Sequence, residues 1–350
     1  MKKNKATNKK IVSYIRVGIA GFGAVGTIRK KILDNIPEVK IVAISDKNKN
    51  NWIKDKNIKF FNNYKKLFRE KLDVLFISLP NKYASDATIR AIRNNINIFC
   101  EKPPARNINE LKKVLTIYKK RKNNIKIKYG FNHRYHDSII LAKKIIDSKK
   151  YGKVINLKGI YGKSKIIRFS GQWRSKKSVA GGGILLDQGI HLLDLMRFFC
   201  GEFKEIKGLV TNHFWKHNVE DNAYAIMRST KNIVAMVHST ATQWQHRFRI
   251  EITLEKASIN LSGILSGSKT YGEEKIEIQP KNLKRKEYKI YKFNKDLSWK
   301  REIIEYINCI KNKKKISNGT IFDALEVMKI VDAIYKSDGI WKKKFFKKYE

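Results

Sequence analysis

The chain has 350 residues, which is long for a single hydrophobic core and makes two domains the default expectation. Its net charge is +45, but the lysines and arginines are spread along the whole chain, so composition does not indicate a nucleic-acid-binding stripe. The three cysteines lie far apart, which indicates neither a disulfide framework nor a zinc site, and no apolar stretch approaches the length of a membrane span.

A glycine turn near the start of the chain follows a short apolar segment. Residues 16–20 are typical of a buried strand, and they pass directly into Gly21-Phe22-Gly23-Ala24-Val25-Gly26, which is G-x-G-x-x-G between a strand and a helix. The first glycine allows the turn, the second lets a pyrophosphate approach the backbone, and the third lets the helix pack on the strand. The helix N-terminus favours the anion electrostatically. The sequence therefore predicts a dinucleotide site, preceded by a disordered basic tail over residues 1–13.

An acidic residue ends the second predicted strand. Asp46 follows residues 39–45, at the distance from the glycines where a carboxylate can accept hydrogen bonds from both hydroxyls of the adenosine ribose. This position favours NAD over NADP. Lys47 and Lys49 could bind a 2′-phosphate if Asp46 turned away, so NADP stays possible.

Strands and helices then alternate to residue 131. We predict strands over 72–79, 96–100 and 125–131, and helices over 64–71, 85–93 and from the Asn107 cap to about residue 120. This alternation builds an open parallel sheet, whose ligands bind beyond the carboxyl ends of the strands. The residues expected to contact the dinucleotide there are Gly21, Phe22, Gly23, Ala24, Val25, Gly26, Asp46, Leu79, Pro80, Asn81, Glu101 and Lys102.

Short motifs over nearly the whole chain resemble those of the Gfo/Idh/MocA oxidoreductases, which are sugar and inositol dehydrogenases with an N-terminal Rossmann domain. The motifs are Gly21 to Gly26, Pro80-Asn81, Glu101-Lys102-Pro103, Asn132-His133-Arg134-Tyr135, Tyr151-Gly152-Lys153, Trp173-Arg174, Gly182-Gly183 and Asp187-Gln188-Gly189-Ile190-His191-Leu192-Leu193-Asp194. The family often has a histidine shortly after Pro-Asn. Here that position is Ala84, so no histidine role is carried over.

The second half of the chain changes to strands in series. After a helix over 137–146, we predict strands over about 153–163, 206–213, 222–229, 233–241, 247–254, 257–263, 274–279 and 284–292, and helices near 297–313 and 320–337. The predicted fold class is α/β. A doubly wound parallel Rossmann sheet forms a domain over 1–131, and an α+β domain with a large, mostly antiparallel open sheet covers 132–350. The resemblance implies that the last helix returns toward the Rossmann domain, and residues 342–348 are expected to be a frayed basic tail.

One predicted helix carries three polar residues, Asp187, His191 and Asp194, spaced i, i+4 and i+7 and therefore expected on one face. Read alone, Asp187 could be a charge favoured by the helix dipole and His191 a core histidine. The resemblance implies instead that Lys102, Asp187 and His191 are catalytic. Histidine titrates near neutrality, so His191 is the expected base, and Lys102 is expected to stabilise negative charge on the reacting oxygen.

Further candidates for substrate binding are Arg134, Trp173 and Arg174. Arginine can clamp a carboxylate or phosphate and tryptophan can stack on a sugar, although packing of a loop is nearly as good an explanation. Residues 244–247 could belong to the pocket or to a subunit interface.

The predicted function is hydride transfer between NAD, or possibly NADP, and a secondary alcohol of a sugar, nucleotide sugar or cyclic polyol. The alternatives are an NAD-dependent glycosidase with transient oxidation and a non-catalytic nucleotide-binding sensor. The cationic surplus favours a nucleotide sugar or sugar acid, with Arg134 and Arg174 as its ligands. We expect a cytoplasmic homodimer or homotetramer with no metal ion and no nucleic-acid or membrane partner.

Overall fold

The computed structural model describes residues 14–52, 55–121, 124–164, 173–266, 270–281 and 288–346, with only the backbone for 344–346. The tail predicted over 1–13 lies outside the described residues, as does much of the strand predicted over 284–292. No helix in the described ranges is long and apolar enough to cross a membrane.

The first half of the chain forms a six-stranded parallel sheet. Its strands are β1 (Ile15–Ala20), β2 (Val39–Ser45), β3 (Lys59–Phe61), β4 (Val74–Ile77), β5 (Asn97–Glu101) and β6 (Ile127–Gly130). The strand order is β3-β2-β1-β4-β5-β6, and every neighbouring pair is parallel. The order reverses between β1 and β4, and ligands bind at such a reversal in doubly wound folds. The predicted parallel sheet is confirmed.

Helices cover this sheet on both faces. They are α1 (Ala24–Leu33), α2 (Asn81–Arg93) and α3 (Ile108–Lys120), with α4 (Asp137–Asp147) following β6. Helix α2 begins at Asn81 rather than at Ser85, with Pro80 as its N-cap residue three residues after β4 ends. Residues 64–69 form a 3₁₀ helix in place of the helix predicted over 64–71.

The second half forms an eight-stranded sheet. Its strands are β7 (Val154–Gly162), β8 (Phe203–Thr211), β9 (Asn222–Ser229), β10 (Val234–Thr240), β11 (Arg247–Leu254), β12 (Ala257–Ser262), β13 (Glu274–Pro280) and β14 (Lys289–Phe293). The order is β14-β13-β12-β11-β7-β10-β9-β8, and among the described strands only β7 and β10 pair in parallel. The prediction of a large, mostly antiparallel sheet is confirmed.

The remaining helices belong to the second half of the chain. They are α5 (Lys177–Ala180), α6 (Ile190–Cys200), α7 (Ser298–Lys311), α8 (Ile321–Ser337) and α9 (Gly339–Phe346). Helix α7 lies on the first sheet, where the Tyr306 ring meets Phe76 and Phe99 edge-on at 6.1 and 5.5 Å. Helix α8 packs on β8, since a Cβ at Gly208 would lie 2.8 Å from Ile334.

The predicted frayed tail over 342–348 is wrong where the structure describes it, because residues 339–346 form α9. Asp338 holds this helix in place. One carboxylate oxygen accepts from Trp341 N and the other from Val210 N on β8, both at 2.8 Å. The Trp341 side chain is buried, so apolar packing joins the cap in fixing the helix.

Candidate active site

A cleft of about 310 Å³ opens at the carboxyl edge of the parallel sheet, where β4 and β5 end beside the glycine turn. Both halves of the chain contribute to it. It is lined by Val25, Ser78, Leu79, Asn81, Glu101, Lys102, Pro103, Asn132, His133, Tyr161, Lys163, Trp173, Arg174, Asp187, Gln188, His191, Leu265, Ser266, Tyr271 and Trp299. Its position at the strand-order reversal is where a doubly wound fold binds its ligand.

The glycine turn has the backbone that a dinucleotide requires. Gly21 has φ +90°, which residues other than glycine rarely adopt. A Cβ at Gly26 would lie 2.2 Å from Gly21 O. A Cβ at Gly23 would meet nothing within 4 Å, so the space above it is open. No side chain among the described residues caps helix α1, and its first turn holds no acidic residue, which leaves its first N–H groups to an anionic ligand. These residues fit a bound dinucleotide.

The carboxylate of Asp46 stands beside this turn. Its Oδ2 accepts a hydrogen bond from Phe22 N at 2.7 Å and its Oδ1 accepts one from Asn48 N at 2.8 Å. Each carboxylate oxygen has a second lone pair, so the group can accept further donors. Lys47 Nζ lies over the Tyr83 ring, 5.2 Å from its centroid.

A buried ion-pair network fixes the strand end that carries Lys102. Arg29 on α1 is fully buried, and its Nε lies 2.7 Å from Glu101 Oε1 while Nη2 lies 2.9 Å from Glu302 Oε2. Its guanidinium is sandwiched between Phe99 and Trp299, 4.4 Å from each ring centroid. The Glu101 carboxylate is therefore held by Arg29 although it lines the cleft.

Lys102 extends from this strand end into the cleft. Its Nζ donates to Asp187 O at 2.6 Å, a backbone atom rather than the carboxylate. Burial is the largest influence and lowers the pKa of Lys102, aided by the charge of Arg174 and opposed by that of Asp187.

The Asp187 side chain faces two other cations. Its Oδ2 lies 3.3 Å from Lys163 Nζ and its Oδ1 lies 3.2 Å from Arg174 Nε. Burial disfavours the charged carboxylate, but Lys163, Arg174 and Lys102 outweigh this effect and hold the pKa of Asp187 below its ordinary range. Asp187 is thus a permanent anion of the cleft.

His191 stacks on a second histidine. Its ring centroid lies 3.7 Å from that of His133 with an interplanar angle of 13°. His133 is held in turn by Tyr161 OH at 3.1 Å and Asn132 Oδ1 at 3.2 Å. Burial, followed by the charge of Lys102, lowers the pKa of His191 well below its ordinary value. The His191 imidazole is therefore neutral, and its Nδ1 has no hydrogen-bond partner among the described residues.

The i, i+4, i+7 spacing does not bring Asp194 into the cleft that Asp187 and His191 line. Residues 185–189 form a π turn before α6, so α-helical spacing holds between His191 and Asp194 but not between Asp187 and His191. Asp194 is buried and binds Arg134, with its Oδ2 at 2.7 Å from Nε and its Oδ1 at 2.6 Å from Nη2.

Arg134 is likewise misassigned as a substrate ligand. Its guanidinium is occupied by Asp194 and by Asp323 Oδ1, 3.0 Å away, and it does not line the cleft. A buried arginine is costly unless carboxylates neutralise its charge. The ion pairs of Arg134 with these two aspartates join the 3₁₀ turn at 132–135 to α6 and α8.

The other predicted residues are distributed around the glycine turn and the cleft. Val25, Leu79 and Asn81 line the cleft, and Asn81 Nδ2 donates to Ala180 O at 2.7 Å. Phe22 is buried and packs on Phe60, whereas Pro80 caps α2. Lys102, Trp173, Arg174, Asp187 and His191 all line the cleft.

Two further positions that the sequence singled out lie away from the cleft. Ala84 is buried in the core, and Trp244 is a surface residue packed on Phe214, with ring centroids 5.0 Å apart. Trp244 does not line the cleft.

Sequence reasoning missed several residues that complete the cleft, namely His133, Tyr161, Lys163, Gln188, Tyr271 and Trp299. Lys163 directly follows β7, so the rule that ligands bind at strand ends could have identified it for the parallel pair β7 and β10. Trp299 comes from α7, far along the chain, and no local pattern predicts its position.

Comparisons with known proteins agree with this architecture. Residues 15–129 match a family model described as the oxidoreductase family with an NAD-binding Rossmann fold, and residues 139–260 match the GFO/IDH/MocA C-terminal domain. Levoglucosan dehydrogenase from Pseudarthrobacter phenanthrenivorans is 32% identical over 142 residues, which are 40% of this chain and 36% of that relative. Glucose-6-phosphate 3-dehydrogenase from Bacillus subtilis is 27% identical over 191 residues, 52% of each chain. These matches thus span between about a third and a half of the two relatives' length.

A solved structure is similar over almost the whole chain. It is a levoglucosan dehydrogenase in complex with NADH and levoglucosan, with a TM-score of 0.82 and 20% identity, covering 94% of this chain and 98% of the other. At this identity the similarity shows the fold.

Proposed function

The chain belongs to the Gfo/Idh/MocA family of NAD(P)-dependent oxidoreductases, and from this premise we propose that it oxidises one ring hydroxyl of a sugar or cyclic polyol, or reduces the matching ketone. The observation that carries the proposal is the convergence of Lys102, Asp187 and His191 on one cleft beside the glycine turn. The names of the two relatives, dehydrogenases of levoglucosan and of glucose 6-phosphate, support a ring with several hydroxyls.

Oxidation of a secondary alcohol requires removal of a proton from oxygen and of a hydride from the same carbon. A bound nicotinamide cofactor would supply the hydride acceptor. His191 takes the proton, because burial and the charge of Lys102 keep its imidazole neutral and able to accept. Lys102 donates a hydrogen bond to the reacting oxygen and stabilises its developing negative charge.

Asp187 has a positioning role in this proposal. Its backbone oxygen accepts from Lys102 Nζ at 2.6 Å and so aims that group. Its carboxylate holds Lys163 and Arg174 at the wall of the cleft. The stack of His133 on His191 fixes the plane of the base.

We propose NAD rather than NADP as the preferred cofactor. The carboxylate of Asp46 is held next to the turn by Phe22 N, where it can accept from ribose hydroxyls and would repel a 2′-phosphate. Lys47, one of the two candidate ligands of such a phosphate, lies over the Tyr83 ring instead.

The test is a screen of free sugars, sugar phosphates, nucleotide sugars and inositols with NAD, read by absorbance of reduced nicotinamide. Net formation of NADH with at least one substrate is expected. Cleavage of a glycoside with no net NADH would identify an NAD-dependent glycosidase, and NAD binding without any turnover would identify a sensor. Either result would contradict the proposal.

We also propose that the chain self-associates through the open face of the second sheet. Leu209, Tyr224, Ile226 and Met236 expose apolar side chains there, with Leu209 67% and Ile226 58% exposed. An apolar patch of this kind favours a protein partner, and a second copy presents the same surface. Light scattering should give a dimer or tetramer, and Ile226→Lys should shift it toward the monomer. A wild-type monomer would refute the proposal.

A further inference from the structure

The lining of the cleft carries more positive than negative charge. Among the described residues that line it, the cations are Lys102, Lys163 and Arg174, and the anions are Asp187 and Glu101. The buried Arg29 side chain already neutralises Glu101. Asp187 is thus the one carboxylate in this described lining that faces all three cations.

The contacts of Asp187 with Lys163 and Arg174 are loose. At 3.3 and 3.2 Å they exceed the roughly 2.7–2.9 Å of a strong charge-assisted hydrogen bond. Arg174 uses only Nε, and its two Nη groups make no hydrogen bond within the described part of the chain. Both cations therefore keep donors for another anion.

Both cations are also held in place by the fold. Lys163 follows the last residue of β7, and its backbone N donates to Thr240 O at 3.0 Å while its backbone O accepts from Gln243 N at 3.0 Å. The Arg174 guanidinium lies over the Trp173 ring, 4.3 Å from the centroid. The Lys163 side chain is 16% exposed and that of Arg174 33%. Cations this poorly hydrated gain from an added anion more than surface lysines do.

We infer that Lys163 and Arg174 form an anion-binding subsite. The sugar or polyol that is oxidised at a ring hydroxyl carries a carboxylate or a phosphate, and this group binds at the subsite. The inference rests on the proposed function, since it places a substituent of the ring that Lys102 and His191 act on. Arg174 would bind the anion through its free Nη edge, and Lys163 would bind it as a point charge. The subsite adds no chemical step.

The test compares kcat/KM with NAD for glucose, glucuronate and glucose 6-phosphate, in the wild type and in Arg174→Gln and Lys163→Met. The wild type should prefer an anionic sugar, and each substitution should lower the ratio of kcat/KM for that sugar to kcat/KM for glucose about 10–100-fold. The preferred anion identifies the source, carboxylate or phosphate. Lys163→Arg keeps the charge and should restore most of the preference.

Lys176→Gln is the matched control, because this exposed lysine lies two residues from Arg174 and outside the cleft. It should leave the preference unchanged. Equal kcat/KM for charged and neutral sugars, or a preference that both cleft variants retain, would overturn the inference.

Calorimetry of the same sugars with the NADH-bound enzyme separates this inference from the proposed function. Binding that favours the anion and depends on Arg174, without net NADH in turnover, supports the subsite and refutes the dehydrogenase. Turnover of sugars with no effect of charge supports the dehydrogenase and refutes the subsite.

Discussion

Replacing Arg29 by methionine should destabilise the protein strongly, because the buried Glu302 carboxylate would lose its cation. The Arg29 and Glu302 side chains are both 0% exposed, and the Glu101 side chain is 11% exposed. Removing one partner of a buried ion pair costs about 3–5 kcal/mol, out of a total stability of roughly 5–15 kcal/mol. Methionine fills the space between Phe99 and Trp299, so the loss reports charge more than packing.

The loss should depend on pH in a defined direction. Burial raises the pKa of Glu302 to about 7 even with Arg29 present, and removing Arg29 raises it further. A carboxyl whose folded pKa lies above its unfolded pKa stabilises the fold at low pH, and this contribution is lost as pH rises through the folded pKa. The deficit of Arg29→Met should therefore be larger near about pH 8 than near about pH 5.

Equilibrium unfolding in urea at the two pH values measures both effects. Arg90→Met is the control, because its pair with Asp86 is exposed, at 39% and 44%, and should contribute less than about 1 kcal/mol. Adding Glu302→Gln to Arg29→Met should recover part of the loss. Equal losses for Arg29→Met and Arg90→Met, or a deficit that grows toward acid pH, would refute the reasoning.

Three further predictions concern the site. His191→Ala should lower turnover about 10²–10⁴-fold with NAD affinity unchanged by calorimetry, because its proton acceptor is lost; full activity would remove the base. In the pH profile of kcat/KM for oxidation, the midpoint of the acid limb should lie below about pH 6.5, because burial lowers the pKa of His191 and keeps the base neutral in weak acid. A midpoint above that value would contradict this assignment. Asp46→Ser should weaken NAD binding by about 1–3 kcal/mol and shift preference toward NADP; tighter NADP than NAD binding in the wild type would contradict the assignment of Asp46.

The architecture of the fold could be read from periodicity and strand ends. Buried strands in the first half are continuous apolar runs, whereas β9 alternates buried and exposed residues, and these patterns distinguish parallel from half-exposed antiparallel strands. The glycine turn and Asp46 have fixed spacings within one βαβ unit. For these features the physical cause is local, so the sequence carries it.

The errors arose where the cause is not local. The sequence alone makes Arg134 a plausible anion ligand. In the fold its guanidinium pairs with Asp194 and Asp323, which are 60 and 189 residues away in sequence. The π turn over 185–189 breaks the α-helical spacing between Asp187 and His191, and it has no strong sequence signature. No sequence motif distinguishes Lys163 from the many other lysines, and its position at the end of β7 brings it beside Asp187.

The most direct test of the central claim follows the hydride itself. The enzyme is incubated with NAD and with the substrate from the screen, carrying deuterium on the ring carbon that is oxidised, and the nicotinamide and sugar products are analysed by mass spectrometry. The account predicts deuterated NADH that accumulates in equal amount with a ketone, and an absence of both when Lys102 is replaced by methionine. Product formation with unlabelled cofactor, or deuterium returned to the sugar with no net NADH, would contradict it.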